Sequence, residues 1–464
     1  MWAMRVAPIL PIVLPSSSVR DLFPTPRLFV VLGMLVGVYL FGAIWPGLVV
    51  VGHVLAWTIA LAVAVEAGLL FAPQSRVDAV RDAPARFSIG DANRVALTLQ
   101  STYRLPVRAE VLEEAPVRFQ ERRLRTVVQM EPGGAVEIDY TYRPLQRGVY
   151  GFGRANVYVS TPVGLVARRF VTAQPQDVAV YPSFQTLRQY ELLAAAGRLD
   201  VHGIKPMRRR GTAMEFDHIR EYARGDDVRT LNWKATARRA GHSETGLLMV
   251  NQQREERAQP VYCVVDTGRT MQMPFDGMTL LDHSLTAALV LAGIALGKDD
   301  LAGLALFNTR LEAFVRADRR PAQKARILDA LYAAEPSRLE SDLDRLAASL
   351  DRRLVQRSLV VVFTNFESRA AMRRAMPGLR RLSRAHVVLV VFFENTLVRR
   401  LTEKRPQYLD EVYEQTVARQ LRDERREMAR ELRRSGVLSL LVRPQDLTAK
   451  VVNEYLALKT SGRF

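Results

Sequence analysis

The sequence predicts a multidomain chain in which a transmembrane helical hairpin precedes a β-sandwich, followed by an α/β doubly wound sheet. Three observations carry that prediction. Residues 28–71 are almost free of charge. Residues 72–182 read as short alternating strands with no helical period between them. Beyond residue 259, buried-type apolar runs alternate with helical stretches, the pattern of a mostly parallel sheet covered on both faces. A chain of 464 residues exceeds what one core supports, so separate domains are expected. The boundaries drawn from these shifts are an N-terminal tail at 1–27, the hairpin at 28–71, the β-sandwich at 72–182, a distinctive segment at 183–258 and the α/β domain at 259–464.

The first apolar run, LFVVLGMLVGVYLFGAI from Leu28, is just long enough to cross the hydrocarbon layer as a helix. Trp45, Pro46 and Gly47 then break it. The second run, from Leu48, is longer and spans with some tilt. Trp45 and Trp57 suit a membrane interface. Two spans return the chain to its starting side. Arg5, Arg20 and Arg27 precede the hairpin and Arg76, Arg81 and Arg86 follow it, so the positive-inside rule places both flanks in the cytoplasm. The early stretch VAPILPIVLP is interrupted by prolines and has no clear small-residue cleavage site, which argues against a cleaved signal peptide. His53 and Glu66 are ionisable residues within the second run. Both lie within about two turns of a helix end, where water and head groups would satisfy them.

The β-region is read from ARFSIG, RVALTLQST, VRAEVLEE, AVEIDYTYRP, RANVYVSTP and DVAVYPS, separated by Gly, Pro and Asn signals. Strands without intervening helices predict a sandwich. Nothing in it resembles a catalytic set, and a scaffold or binding module is expected. The formal charge of +18 predicts attraction to anionic surfaces. No zinc-finger or RNA-recognition signature accompanies it, so membrane lipid or an acidic protein face is expected rather than nucleic acid. The lone cysteine, Cys263, rules out disulfides within the chain and argues against a cysteine-based zinc site.

In the α/β region, VYCVV, LAGLALF, LVVVF, HVVLVVFF and VLSLLV supply buried strands, and NTR turns LAGLALF into an antiparallel hairpin with LEAFV. Ligands sit at the carboxyl ends of strands in such sheets. Asp266 directly follows VYCVV, and Thr364 and Asn365 directly follow LVVVF. A long helix is predicted at 410–434. Its apolar stripe is Val417, Leu421, Met428 and Leu432, and Asp423–Arg426, Glu427–Arg430 and Glu431–Arg434 form i,i+3 pairs.

Residues 211–239 read GTAMEFDHIREYARGDDVRTLNWKATARR. Asp226 or Asp227 suits the cap of a helix starting near Val228, with Gly225 permitting the turn. Arg220, Arg229 and Arg238 suit pairing with Glu215 and the two aspartates, and Trp233 offers an apolar anchor. The expectation is that this network clamps the segment onto the α/β domain; direct partner binding is the alternative. The same residues resemble the signature of the MoxR-associated family known as domain of unknown function 58. That pattern has a glycine-led segment, Arg-x-Tyr, Gly-Asp-Asp, an arginine, a tryptophan and a closing Ala-Arg. It is met here by Gly211, Glu215, Arg220, Tyr222, Gly225, Asp226, Asp227, Arg229, Trp233, Thr236, Ala237 and Arg238. The turn near Arg147, the strand ending at Asp266 and the tail NEYLALK also look like that family.

The resemblance implies that the α/β domain is like the von Willebrand factor type A fold. Those domains often hold Mg²⁺ through Asp-x-Ser-x-Ser, a Thr from a second loop and an Asp from a third. Here the first motif reads Asp266, Thr267, Gly268, Arg269, Thr270; Ser341 and Asp342 are second-loop candidates; and Asn365 replaces the third-loop Asp. Gly268 brings no side-chain oxygen, Asn365 no charge, and Arg269 adds a cation. A degenerate rim of Asp266, Gly268, Thr270, Ser341 and Asn365 is therefore expected, with no cofactor and at most weak Mg²⁺ at Asp266 and Thr270.

The resemblance further implies a non-enzymatic adaptor for a MoxR-type AAA+ ATPase, held at the bacterial inner membrane and acting in chaperone-like maturation or cell-envelope processes. The chain has no P-loop of its own. An enzyme is the less favoured reading. Cys263 sits within a strand; His202, His218, His242, His283 and His386 form no metal spacing; and no Gly-x-Ser-x-Gly elbow occurs. No small-molecule substrate is expected. A basic lipid-surface or nucleic-acid binder is the remaining alternative, resting on charge alone.

Overall fold

A computed structural model describes residues 21–119, 125–195, 215–223, 228, 231–240, 248–254 and 258–463. The chain divides into two compact units, Met1–Tyr181 and Pro182–Phe464.

The first unit opens with a short strand, β1 (Leu22–Pro24), then two helices, α1 (Pro26–Gly42) and α2 (Gly47–Leu70). Pro26 starts α1, where its missing N–H carries no penalty. Gly52 of α2 lets the Tyr39 ring approach so closely that a Cβ there would lie 2.9 Å from it. His53 also faces α1: its ring meets Tyr39 edge-on at 5.5 Å, while its Nδ1 lies 2.7 Å from the carbonyl of Val49, one turn earlier in α2. By length and composition, α2 is long and apolar enough to cross a membrane, and α1 is a shorter apolar helix.

Ten further strands follow: β2 (Val77–Asp82), β3 (Arg86–Ser88), β4 (Asn93–Ser101), β5 (Val107–Glu113), β6 (Arg125–Met130), β7 (Ala135–Tyr142), β8 (Gly148–Phe152), β9 (Ala155–Ser160), β10 (Val166–Thr172) and β11 (Gln176–Tyr181). They form sheets ordered β1-β10-β9-β5-β6, β3-β11-β8 and β2-β4-β7. Burial alternates along β4 and β5, so each sheet turns one apolar face inward, as sheets stacked face to face must. Phe87, Phe119, Tyr142, Tyr150 and Phe152 make an aromatic cluster between them. Residues Leu22–Pro24, assigned from sequence to the tail, instead pair antiparallel with β10.

Glu66 also departs from expectation. It is 4% exposed, and protein donors satisfy it in place of water: Thr161 Oγ1 at 2.5 Å, and the backbone N–H groups of Gly164, Leu165 and Val166 at 3.0, 2.9 and 3.2 Å.

The second unit begins with α3 (Phe184–Ala195), then β12 (Glu215–Glu221), α4 (Trp233–Ala240) and β13 (Met249–Arg254). There follow β14 (Pro260–Asp266), a minute hairpin of β15 (Pro274–Phe275) and β16 (Met278–Thr279), α5 (Leu280–Leu296), β17 (Leu301–Phe307), β18 (Leu311–Asp318), α6 (Ala322–Tyr332), α7 (Leu343–Asp351), β19 (Leu359–Phe363), α8 (Arg369–Ala385), β20 (Val387–Phe393), α9 (Thr396–Glu403), α10 (Leu409–Arg434), β21 (Leu438–Val442) and α11 (Leu447–Thr460).

The main sheet runs β18-β17-β14-β19-β20-β21, parallel except for the antiparallel edge strand β18. Alternate residues of β14 feed opposite cores. Val261, Cys263 and Val265 pack with α5, α6 and α11, while Tyr262 and Val264 pack with α7, α8 and α10. The apolar helix α5 is buried nearly all round and begins with a capping box between Thr279 and Asp282. Cys263 is an interior residue, 1% exposed, and burial pushes its thiol up to about 12.

Helix α10 splits into two halves. Met428 and Leu432 are buried as the apolar stripe predicts, but Val417 and Leu421 are exposed. Its acidic side chains also pair differently. Asp423 does lie 3.6 Å from Arg426, but Glu427 and Glu431 reach across to α8, where Arg369 lies 3.3 and 2.8 Å from them and Arg373 lies 2.8 Å from Glu431.

Candidate functional site

The strand order reverses at β14. The chain leaves it through α5 to β17 on one side and returns to β19 on the other, so the carboxyl ends of β14 and β19 open a crevice. Asp266 ends β14 there and is 1% exposed. Its Oδ1 accepts from the Gly268 N–H at 2.8 Å and from the Ser341 hydroxyl, and its Oδ2 accepts from Thr364 Oγ1 at 2.6 Å. Burial raises the Asp266 carboxyl above the usual carboxylate range; the three donors pull it back, and Glu312 pushes the same way as burial.

Backbone bonds tie the surrounding loops together. Arg269 N–H donates to the Leu339 carbonyl at 3.0 Å, Ser337 N–H to Thr267 at 2.7 Å, and Asp342 N–H to Asn308 at 2.9 Å. Thr267 Oγ1 reaches Glu312 at 2.8 Å. Arg269, expected as an extra cation, is neutralised by Glu367, whose oxygens lie 2.8 and 3.0 Å away. Leu339, 57% exposed, stands at the outer edge of this rim.

Asp266, Gly268 and Ser341 therefore come together as the sequence suggested. Thr270 does not join them. It is half-buried on the short turn after Gly268 and makes none of the carboxylate's hydrogen bonds. Thr364 takes that place, and its position directly after the LVVVF run was the available signal. Asn365 is buried, and its Oδ1 accepts from Arg425 Nη1 at 3.2 Å. Arg425 also donates to the Phe366 carbonyl, and burial holds its guanidinium below the usual range. Sequence reasoning placed Arg425 on a packed surface helix and missed this role, because nothing local marks which helical arginine faces inward.

The donor set does not suit tight Mg²⁺ binding. Of the rim residues Asp266, Gly268, Thr270, Ser341 and Asn365, Asp266 alone brings a carboxyl group, both its oxygens are already engaged, and Asn365 is held by a cation. Among the described residues no three His, Cys, Asp or Glu side chains cluster as a metal site. Gly268 is also more than a lost hydroxyl: a Cβ at that position would collide with Ser341 Oγ. The Ser341 hydroxyl fills the space that a serine at 268 would need.

In the signature segment, β12 and β13 form an antiparallel ribbon, and α4 packs beside it. Asn232 caps α4, accepting from the Ala235 N–H at 2.9 Å; Asp226 and Asp227, the cap candidates for a helix starting near Val228, lie outside the described residues. Thr236 Oγ1 accepts from the Met249 N–H at 3.0 Å, and Tyr222 N–H donates to Leu248 at 2.8 Å. Trp233 is 67% exposed, so it is not the buried anchor expected of it. Together Lys234 and Arg238 line a shallow groove with Ile219 and Met249. Arg220 is half-buried, with Nη1 3.1 Å from the Glu221 carbonyl. Gly211, Gly225, Asp226, Asp227 and Arg229 and the side chain of Glu215 lie outside the described residues, and so do the expected ion pairs among them.

These features define a multidomain protein: a β-domain carrying an apolar helix long enough to span a bilayer, and an α/β unit with a carboxylate-centred crevice at its switch point. A family model described as "Protein of unknown function DUF58" matches residues 218–432, which supports the family resemblance read from residues 211–239. No curated protein matches. Among solved structures, the conserved hypothetical protein BatB from Bacteroides thetaiotaomicron is 11% identical, covering 44% of this chain and 100% of its own, with a TM-score of 0.31. The CARDB domain of the PF1109 protein from Pyrococcus furiosus, in complex with di-metal ions, is 13% identical over 23% of this chain and 90% of its own, with a TM-score of 0.17. The ASH/PapD-like domain of human CEP192 is 16% identical over 22% and 84%, with a TM-score of 0.17.

Proposed function

We propose that this chain is a membrane-anchored protein-interaction adaptor for a MoxR-type AAA+ ATPase, serving chaperone-like maturation or cell-envelope processes, and not itself an enzyme. In this reading α1 and α2 both cross the bacterial inner membrane, both flanks face the cytoplasm, and the α/β unit is of von Willebrand factor type A kind. The arginines on either side of the hairpin support the orientation. The parallel sheet with one antiparallel edge strand, and an aspartate closing its first strand, support the fold reading.

The observation that carries the proposal is the state of the Asp266 crevice. Its carboxyl group is buried and both its oxygens accept from internal donors, so it organises loops rather than offering a free base. Around it stand exposed side chains of both charge signs and Leu339, a surface suited to direct protein contact without a bridging ion.

Affinity purification of the full chain with a co-expressed MoxR-type ATPase tests this. Capture is expected, and Leu339→Glu should weaken it while leaving the protein folded. Absence of capture, or turnover of a substrate by the purified chain alone, would sink the adaptor reading.

A further inference from the structure

On the membrane placement proposed above, the last turns of α2 reach the edge of the bilayer. Its 24 residues extend about 36 Å, against a hydrocarbon layer of about 30 Å. Glu66 lies four residues before the end of that helix, at the edge of the hydrocarbon, and its neighbours Val65 and Leu69 are exposed apolar side chains. Yet the Glu66 carboxylate is filled by one loop of the β-domain, residues 161–165, through the Thr161 hydroxyl and the Gly164 and Leu165 N–H groups. The start of α1 grips the same loop. Arg27 Nη1 donates to the Pro162 and Val163 carbonyls at 3.0 and 2.9 Å, and Thr25 Oγ1 lies 2.5 Å from the Gly164 carbonyl and 3.0 Å from that of Leu165. Arg168, packed on the Phe71 ring, closes the end of α2 by donating to the Leu70 carbonyl at 2.8 Å. The tip of the loop is Val163, 62% exposed.

We infer that loop 161–165 lies within the phospholipid head-group layer, fastened there by Glu66, so that the β-domain rests on the bilayer instead of swinging from a tether. This rests on the proposed membrane placement of α2. The chemistry fits that layer. The loop's polar backbone is satisfied by Glu66, Arg27 and Thr25, its outward tip is apolar, and Arg27 stands where lipid phosphates lie. A carboxylate at that depth is tolerable because its charge is spread over fixed donors.

Full-length protein with Cys263→Ala, its lone cysteine removed, tests this in vesicles of phosphatidylcholine and phosphatidylglycerol. A spin label is placed at Val163→Cys or at Ala92→Cys. Ala92 precedes β4, whose nine residues carry the chain about 30 Å to Ser101, beside the Tyr103 whose hydroxyl donates to Leu70 at 2.9 Å. The label at 163 should be more accessible to oxygen than to an aqueous nickel chelate, and the label at 92 the reverse. Glu66→Ala should shift position 163 toward nickel accessibility. Nickel accessibility at 163 equal to that at 92, in protein that resists alkaline carbonate extraction, overturns the inference while leaving the membrane reading intact. Unchanged accessibility at 163 in Glu66→Ala overturns the fastening role. Release of the whole chain by carbonate overturns both readings.

Discussion

Thr364→Val is the sharpest perturbation of the crevice, because it keeps the shape of the side chain and deletes one hydroxyl. That hydroxyl donates to the buried Asp266 at 2.6 Å. Leaving a buried acceptor without its donor costs ~1–3 kcal/mol, and the valine does this to Asp266 Oδ2. The chain has more than one unit, so a global melting curve does not isolate this loss. Cys263 provides a local probe. It is the lone cysteine, lies in β14 only three residues from Asp266, and is buried with its thiol pushed up to about 12. A maleimide reaches it only when the α/β unit opens, so labelling should accelerate about 5- to 150-fold in the variant. The pH dependence has a fixed sign. Burial raises the folded-state value of Asp266, so the folded state is penalised as pH climbs from the unfolded value through the folded one. Deleting a donor that opposes burial raises the folded value further. The variant-to-parent labelling ratio should therefore be smallest in acid and largest at neutral pH. A ratio within two-fold of unity at neutral pH, or one that ignores pH, would refute the claim that the Thr364 hydroxyl holds the Asp266 carboxyl and opposes the effect of its burial.

Other outcomes follow from the same geometry. Trp233→Ala should change stability by less than about 0.5 kcal/mol, since the ring is exposed, but should reduce ATPase capture; accelerated Cys263 labelling would show instead that the ring clamps the domain. Gly268→Ser should destabilise the α/β unit by ~1–3 kcal/mol through collision with Ser341, and adding Asn365→Asp should still give no tight Mg²⁺ site by calorimetry. Stoichiometric Mg²⁺ binding by the unmodified protein, lost in Asp266→Ala, would contradict that. Reporter domains active only in the cytoplasm should work when fused to either end; a well-expressed but inactive fusion at residue 464 would overturn the two-pass layout.

Linear pattern alone fixed a good deal. Period-2 alternation along Asn93–Ser101 and Val107–Glu113 marked strands with one buried face, and the unbroken apolar runs of Pro260–Asp266 and Leu359–Phe363 marked strands buried on both. The strand-end rule then singled out Asp266, Thr364 and Asn365 before any fold was known. Tertiary structure decided the partners. Residues that meet at Asp266 are separated by 75 and 98 positions in the chain, as Ser341 and Thr364 are, and no local signal ranks one hydroxyl over another at such distances. It chose Thr364 over Thr270, turned Arg425 inward and left Trp233 outside. It also moved Glu66 from a presumed aqueous setting into a cradle of backbone N–H groups about 100 residues away. Burial and hydrogen bonding depend on what the rest of the chain brings to a side chain; periodicity shows which face looks inward, while long-range packing supplies what that face finds there.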